Sequence, residues 1–269
     1  MADNEATPLM EQDELWRGID LSGISVVLGL AGGRLVQALA RQAAIAGDGR
    51  VIAMGYDLDA LEQLLPLMVP LPVSPVNARL RQIPLLDETV DLLVMNGTLR
   101  QVPESQLLAM CQEIWRVLVP GGQLRIADLV EPSEAPYNEA WRIRNELIAK
   151  LGRALERPTA LYVNLTQAAA ALTEIGFENL AVSLLPGYPL TEAWLDSTQQ
   201  AVQAMVSRVV DTELRDEVLQ HDLQRLISAY QLGEQRAAER FVLRGSKIGD
   251  LALNMQASFT EEDLVDEDE

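Results

Sequence analysis

Apolar and polar positions alternate along this chain on two length scales. Short, nearly unbroken apolar runs, ISVVLGL (24–30), RVIAMG (50–55) and VDLLVMN (90–96), recur between longer stretches whose apolar residues repeat every three to four positions. Runs of the first kind suit strands buried on both faces, and the second kind suits helices that cover them. The pattern therefore predicts an α/β fold in which a parallel sheet lies between two helical layers. It places a helix from the glycines after residue 29 to Ala46, and a second from Asp57 through LDALEQLLPLMV until the prolines at 66, 70 and 72 break it. A short third strand at 74–79, a helix from Glu104 to Leu118 and a fifth apolar strand at 123–130 follow.

Past Val130 the helical period dominates. One helix is expected at 136–156, another over TQAAAALTEIGF with Gly176 as its stop, then a strand at 179–185. Two amphipathic helices follow at about 191–210 and 213–232. Leu195, Val202, Met205, Val206 and Val209 form one apolar stripe, and Leu214, Val218, Leu226, Ile227 and Tyr230 the other. A last strand is expected at 240–247. These elements form one domain, 16–250, with helical insertions at 136–156 and 191–232. A flexible acidic arm (1–15) and an acidic disordered tail (251–269) flank it; seven of the last nine residues are acidic.

Composition narrows the function classes. The 269 residues carry 21 basic and 40 acidic side chains, a formal charge of -19, so the average surface repels phosphate backbones and no nucleic-acid partner is expected. No run is apolar enough for a membrane span and no leader pattern opens the chain, which leads to the expectation of a cytoplasmic protein. A single cysteine, Cys111, allows neither an internal disulfide nor a multi-cysteine metal site, and it reads as a buried small hydrophobe. The lone histidine, His221, reads as a solvated bystander, and no metal site is expected. A protein partner has two candidate surfaces, the acidic tail and the apolar stripes of the helical insertion. Ordinary solvation and core packing are the plain readings of the same features.

Three strings carry more. EIWRVLVPGGQLRIAD (113–128) joins a helix ending in Arg-Val-Leu to a Pro-Gly-Gly turn and a strand; GRVIAMGYDLDALE (49–62) and PLLDETVD (84–91) lie upstream. In these strings the chain resembles the class I S-adenosylmethionine-dependent methyltransferases, in particular the group acting on small molecules and lipids, from about residue 24 to residue 247. The resemblance implies a Rossmann-like seven-stranded fold with a final antiparallel hairpin and extra helices covering the strand tips. It also implies S-adenosylmethionine across the tips of the first two strands and a small-molecule ligand beneath the helical insertions.

The resemblance further implies a site residue by residue. The turn after the first strand, Gly29 to Gly33, stands where the family has an acidic residue followed by a run of spaced glycines. Gly29 and Gly33 match, Ala31 replaces a glycine, Gly32 belongs to the same turn, and Val27 takes the place of the acid. Gly55 stands where the family usually has the carboxylate that binds the ribose hydroxyls, with Asp57 two residues later as substitute or helix cap. Arg79 and Leu80 fall beside the adenine position, and arginine offers donors where the base amine needs an acceptor. Asn96 and Arg100 occupy the fourth-strand loop near the substrate position. Asp91, Arg116, Pro120, Gly121 and Gly122 match as packing and turn residues.

No catalytic constellation is visible, although methyl transfer from an activated sulfonium demands mainly orientation. Two principal readings follow. One is a methyltransferase-like protein with an eroded cofactor site, acting as a binding, scaffold or assembly subunit. The other is an active methyltransferase with an atypical cofactor pose that uses Asp57 or backbone groups. A third reading gives the pocket an anionic ligand drawn to Arg79, Arg81 and the amides that open the first helix.

Overall fold

The computed structural model describes residues 14–29, 32–55, 58, 61–62, 65–66, 69–131, 136–157 and 159–248. These form a seven-stranded sheet of order β3-β2-β1-β4-β5-β7-β6. The strands are β1 (Ile24–Leu28), β2 (Arg50–Gly55), β3 (Val73–Asn77), β4 (Val90–Asn96), β5 (Leu118–Leu129), β6 (Phe177–Leu185) and β7 (Arg240–Lys247). The first five run parallel; β7 is antiparallel to both β5 and β6. The helices are α1 (Gly32–Ala46), α2 (Glu104–Val117), α3 (Glu139–Ala154), α4 (Leu165–Ile175), α5 (Glu192–Val206), α6 (Thr212–Glu217) and α7 (Leu223–Gln231).

The central strands are apolar throughout because both of their faces are covered. Val26, Leu93 and Ile126 point to one face and pack with Met110, Cys111 and Ile114 of α2 and Leu172 of α4. Val27, Leu92 and Val94 point to the other and pack with Leu35, Val36 and Leu39 of α1 and with Leu15 and Trp16. A third core lies over the end of β5, where α3, α5 and α7 enclose Leu129. Its aromatic spine runs through Trp141, Trp194 and Tyr230, with neighbouring ring centroids 6.1 and 6.2 Å apart.

The expected elements are found with shifted ends. β1 stops at Leu28, β3 spans 73–77, and β5 begins at Leu118 with Pro120 to Gly122 inside it. The Pro-Gly-Gly turn is thus a bulge: two steps on β4, from Val90 to Leu92, face five on β5, from Leu118 to Gln123. The helix expected at 136–156 opens as a 3-10 turn at 136–138, and that expected at 191–210 ends at Val206. The one expected at 213–232 is interrupted by a π segment, Val218–Asp222, where Lys150 pairs with Glu217 at 2.9 Å and Asp222 at 2.7 Å.

Two further features bear on the expected arm and insertion. Residues 14–16 form a helical turn whose Leu15 is fully buried, next to the expected boundary at residue 15. The apolar stripes of the insertion are core: Val202, Val206, Val209, Val218 and Leu226 are at most 3 % exposed, so those side chains are not free for a partner. The helix from Asp57 falls largely, and the acidic tail wholly, outside the described residues.

Polar pins hold the layers in register. Asp91 of β4 accepts from the Ile24 amide at 2.7 Å, and Arg116 of α2 donates to the carbonyls of Ile83 and Leu85 at 2.9 Å each. Lys247, at the end of β7, is only 8 % exposed. Its ammonium donates to the carbonyls of Trp115 and Leu118 at 3.1 and 2.9 Å and to Glu88 at 2.9 Å, and it lies 5.4 Å from the Trp115 ring centroid. Lys247→Ala removes every one of these bonds at once. The expected loss is about 2 to 3 kcal/mol in urea unfolding, because two inward-facing carbonyls lose their donor.

Candidate functional site

Gly29 follows β1 at φ 72°, in the left-handed region where a Cβ is strained. Glycine is needed there for a second reason, since a Cβ at this position would fall inside the side chain of Thr98. Thr98 is 1 % exposed, and its hydroxyl donates to the Leu28 carbonyl at 3.2 Å with the Asn96 carbonyl at 3.3 Å. The turn after β1 and the loop after β4 are therefore fastened to each other. Gly32 and Gly33 open α1 as expected, and Ala31 lies outside the described residues. Val27 is 1 % exposed and packs with α1, so an apolar group stands where the family acid would.

Gly55 closes β2 opposite Asn77, and its carbonyl accepts from the Ala78 amide at 2.8 Å. Asp57 lies outside the described residues. Arg79 is exposed, bridges to Gln82, and lines an open groove with Asn77, Glu113 and Arg116. The last two are engaged with each other at 2.9 Å, and Arg116 also pairs with Asp87 at 2.6 Å. The Arg116 guanidinium is the main reason the Glu113 carboxyl sits below the usual range, and the Ile83 amide adds to it. Leu80 is half-buried against the first core.

The tips of β4, β5 and β7 bring together side chains far apart in sequence. Asn96 Oδ1 accepts from Arg240 Nη2 at 2.6 Å, so the first residue of β7 reaches across β5 to the end of β4. Asp128, with no exposure, accepts from Arg100 Nε at 2.6 Å, the Arg100 amide at 3.2 Å and the Leu129 amide at 2.9 Å. Arg144 of α3, 4 % exposed, lies 5.4 Å from the Trp141 ring centroid and donates to Asn145 Oδ1 at 3.0 Å. Burial pulls its guanidinium down to about 10. Burial likewise raises the Tyr162 phenol, with Glu146 adding to the effect.

Asn96 and Arg100 were candidates from sequence; Thr98, Asp128, Arg144 and Arg240 were not. Only Asp128 had a local signal, an acid closing an otherwise apolar strand. Arg144 and Arg240 reach this region through the packing of α3 and the reversal of β7, which no spacing along the chain encodes. The two other candidates for chemistry are placed elsewhere. Cys111 is buried in α2, and burial pushes its thiol up to about 12; His221 is exposed on the π segment. Among the described residues no group of His, Cys, Asp and Glu side chains could hold a metal ion, and no helix is long and apolar enough to cross a membrane.

Comparison with known proteins agrees with this geometry. A family model described as a methyltransferase domain matches residues 26–122, from β1 into the Pro-Gly-Gly bulge. The ubiquinone/menaquinone biosynthesis C-methyltransferase UbiE of Klebsiella pneumoniae is 27% identical over 187 residues, 62% of this chain and 73% of the relative. Its counterpart in Cronobacter sakazakii is 25% identical over 186 residues, with the same shares. Among solved structures, Haemonchus contortus phosphoethanolamine N-methyltransferase 2, in complex with phosphomonomethylethanolamine and S-adenosylhomocysteine, superposes with a TM-score of 0.54 at 12% identity. The match covers 89% of this chain and 53% of that one. The 4+2 cyclase SpnF superposes with a TM-score of 0.55 at 14% identity, covering 89% of this chain and 79% of SpnF. The chain therefore carries the Rossmann-like class I methyltransferase fold. Over residues 26–122 it is similar to a methyltransferase domain.

Two outcomes test the local geometry. Gly29→Ala meets both the left-handed backbone and Thr98, and is expected to cost about 2 to 4 kcal/mol in urea unfolding. Combining it with Thr98→Ala should recover part of that loss, since two of the obstructing atoms are then gone. Cys111 should resist maleimide at pH 8 in the folded protein and react once urea unfolds it, because its thiol stays protonated below about 12.

Proposed function

We propose that the protein is a methyltransferase-fold binding or assembly subunit that does not take S-adenosylmethionine in the usual way. The observation that carries this reading is the end of β2, where Gly55 offers no carboxylate to a ribose. Val27 and Arg79 point the same way, since neither supplies the acceptor that the loop amides or the adenine amine would use. The residues present suit the methionine-side turn alone, through Gly29, Gly32 and Gly33. Further support comes from the strand tips, where Asn96 is engaged by Arg240 and Arg100 by Asp128. SpnF, named as a cyclase, superposes as well as the methyltransferases do, so the fold by itself does not choose the chemistry. A cytoplasmic location, on the motive that no apolar run is long enough for a membrane span, and a protein partner, on the motive of the acidic tail, complete the proposal.

A second reading, an active methyltransferase with an atypical pose, is favoured by the curated relatives, which are named as C-methyltransferases. Calorimetric titration with S-adenosylmethionine and S-adenosylhomocysteine separates the two. The subunit reading expects no heat at millimolar ligand; micromolar binding that disappears in Gly33→Trp would overturn it. Gly55→Asp places a carboxylate at the strand end, and the same titration should then show affinity raised by about tenfold, equivalent to about 1.4 kcal/mol.

A further inference from the structure

A second charged arrangement lies on the sheet face covered by α1 and the helical turn at 14–16. In the antiparallel pairing of β5 with β7, Arg125 stands directly opposite Arg244. Their neighbours on this face are Val94 of β4, in register with Arg125, and Ala181 of β6, in register with Arg244. Arg125 is 8 % exposed. Its Nη1 donates to Gln123 Oε1 and to the Leu124 carbonyl, both at 3.0 Å, and its Nε is buried with no acceptor. Arg244 gives Nη2 to Glu14, and its Nε is likewise buried without an acceptor. Glu14 is shared with Arg17 at 2.5 Å.

Among the described residues, the guanidinium groups of Arg17 and Arg244 thus share the one carboxylate of Glu14, and no carboxylate reaches Arg125. Like charges set directly opposite each other across a strand pair repel, and a buried charge without a counter-charge is costly. This occurs in a chain with 40 acidic residues to 21 basic ones, where a carboxylate partner is easy to supply. Directly opposed residues of an antiparallel pair have Cα atoms about 4.5 to 5.5 Å apart, so both guanidinium forks can reach one tetrahedral anion. Gln123 and Ser246, which face each other two pairs further along, add neutral polar groups at the edge. Burial, with Arg244 as the lesser cause, pulls the Arg125 guanidinium down to about 10, as expected for a cation short of counter-charge.

We propose that Arg125 and Arg244 form a binding site for a small oxyanion of the phosphate type, separate from the strand-tip site. The anion bridges the two guanidinium groups, supplies the missing counter-charge, and ties the 14–16 turn to β5 and β7. Arginine suits this role because its planar fork matches phosphate oxygens and keeps its charge when partly buried.

Titration of the full chain with inorganic phosphate, against chloride at equal ionic strength, tests the site by calorimetry and thermal unfolding. The wild type should bind, and its unfolding midpoint should rise by about 2 to 4 °C near saturation. Arg125→Gln should lose the response while unfolding in chloride no earlier than the wild type, since it removes an uncompensated charge. Arg125→Lys should retain a weaker response, and Gly33→Trp should respond as the wild type does. A wild type indifferent to phosphate, or an Arg125→Gln variant that responds equally, would overturn the proposal. If Arg125→Gln fails to fold, Arg244→Gln is held to the same loss of response, and its full retention of phosphate binding counts equally against the site.

Discussion

The ends of β1 and β4 can lie side by side because residue 29 has no Cβ. Gly29 turns the chain into the left-handed region, and the Thr98 side chain occupies the space that a larger residue would need. The Thr98 hydroxyl then holds the Leu28 carbonyl, so the outgoing ends of two parallel strands become one unit. Where α1 starts and where the loop 97–101 lies both follow from this approach. The glycine commonly credited to cofactor contact is thus demanded by packing alone. Its presence is compatible with either functional reading, and the decision between them moves to β2 and to the strand tips.

A related division runs through the charged residues. Asp91, Arg116 and Lys247 satisfy backbone groups at places where strands, helices and loops meet, and they hold the fold. Arg100, Asp128, Asn96 and Arg240 satisfy one another at the tips, where a ligand of this fold class would lie. Arg125 and Arg244 form a third set, in which like charge faces like charge across a strand pair. The first set is needed for folding whatever the pocket holds, because backbone groups at these junctions must be satisfied. The second set shows a pocket rim in which polar side chains already have partners. The third set carries the anion site proposed above.

The third core gives the helical insertion its purpose. Trp141, Trp194 and Tyr230 stack beneath α3, α5 and α7, and they roof the β5 end of the sheet. A roof of this kind shields the strand tips from water, which strengthens every electrostatic contact inside it. Arg144, set against Trp141, shows the same environment from the side of the charge.

The sequence by itself determined the architecture. The unbroken apolar runs could satisfy their backbone and bury both faces only as strands of a covered parallel sheet, so β2, β4 and β7 were legible to the residue. Gly176, at φ 105°, ends α4 where the glycine stood in the helical pattern. Val27 and Gly55 were placed by their offsets from strands that the pattern located, at or next to the ends of β1 and β2. Tertiary structure alone decided the rest. Whether the stripes of the insertion were surface or core depended on what covered them, and a period of 3.6 residues is the same in both cases. Thr98 against Gly29, Arg240 against Asn96 and Arg125 against Arg244 join residues 69, 144 and 119 positions apart. Such pairs are set by strand order and by the reversal of β7, and local spacing carries no record of either.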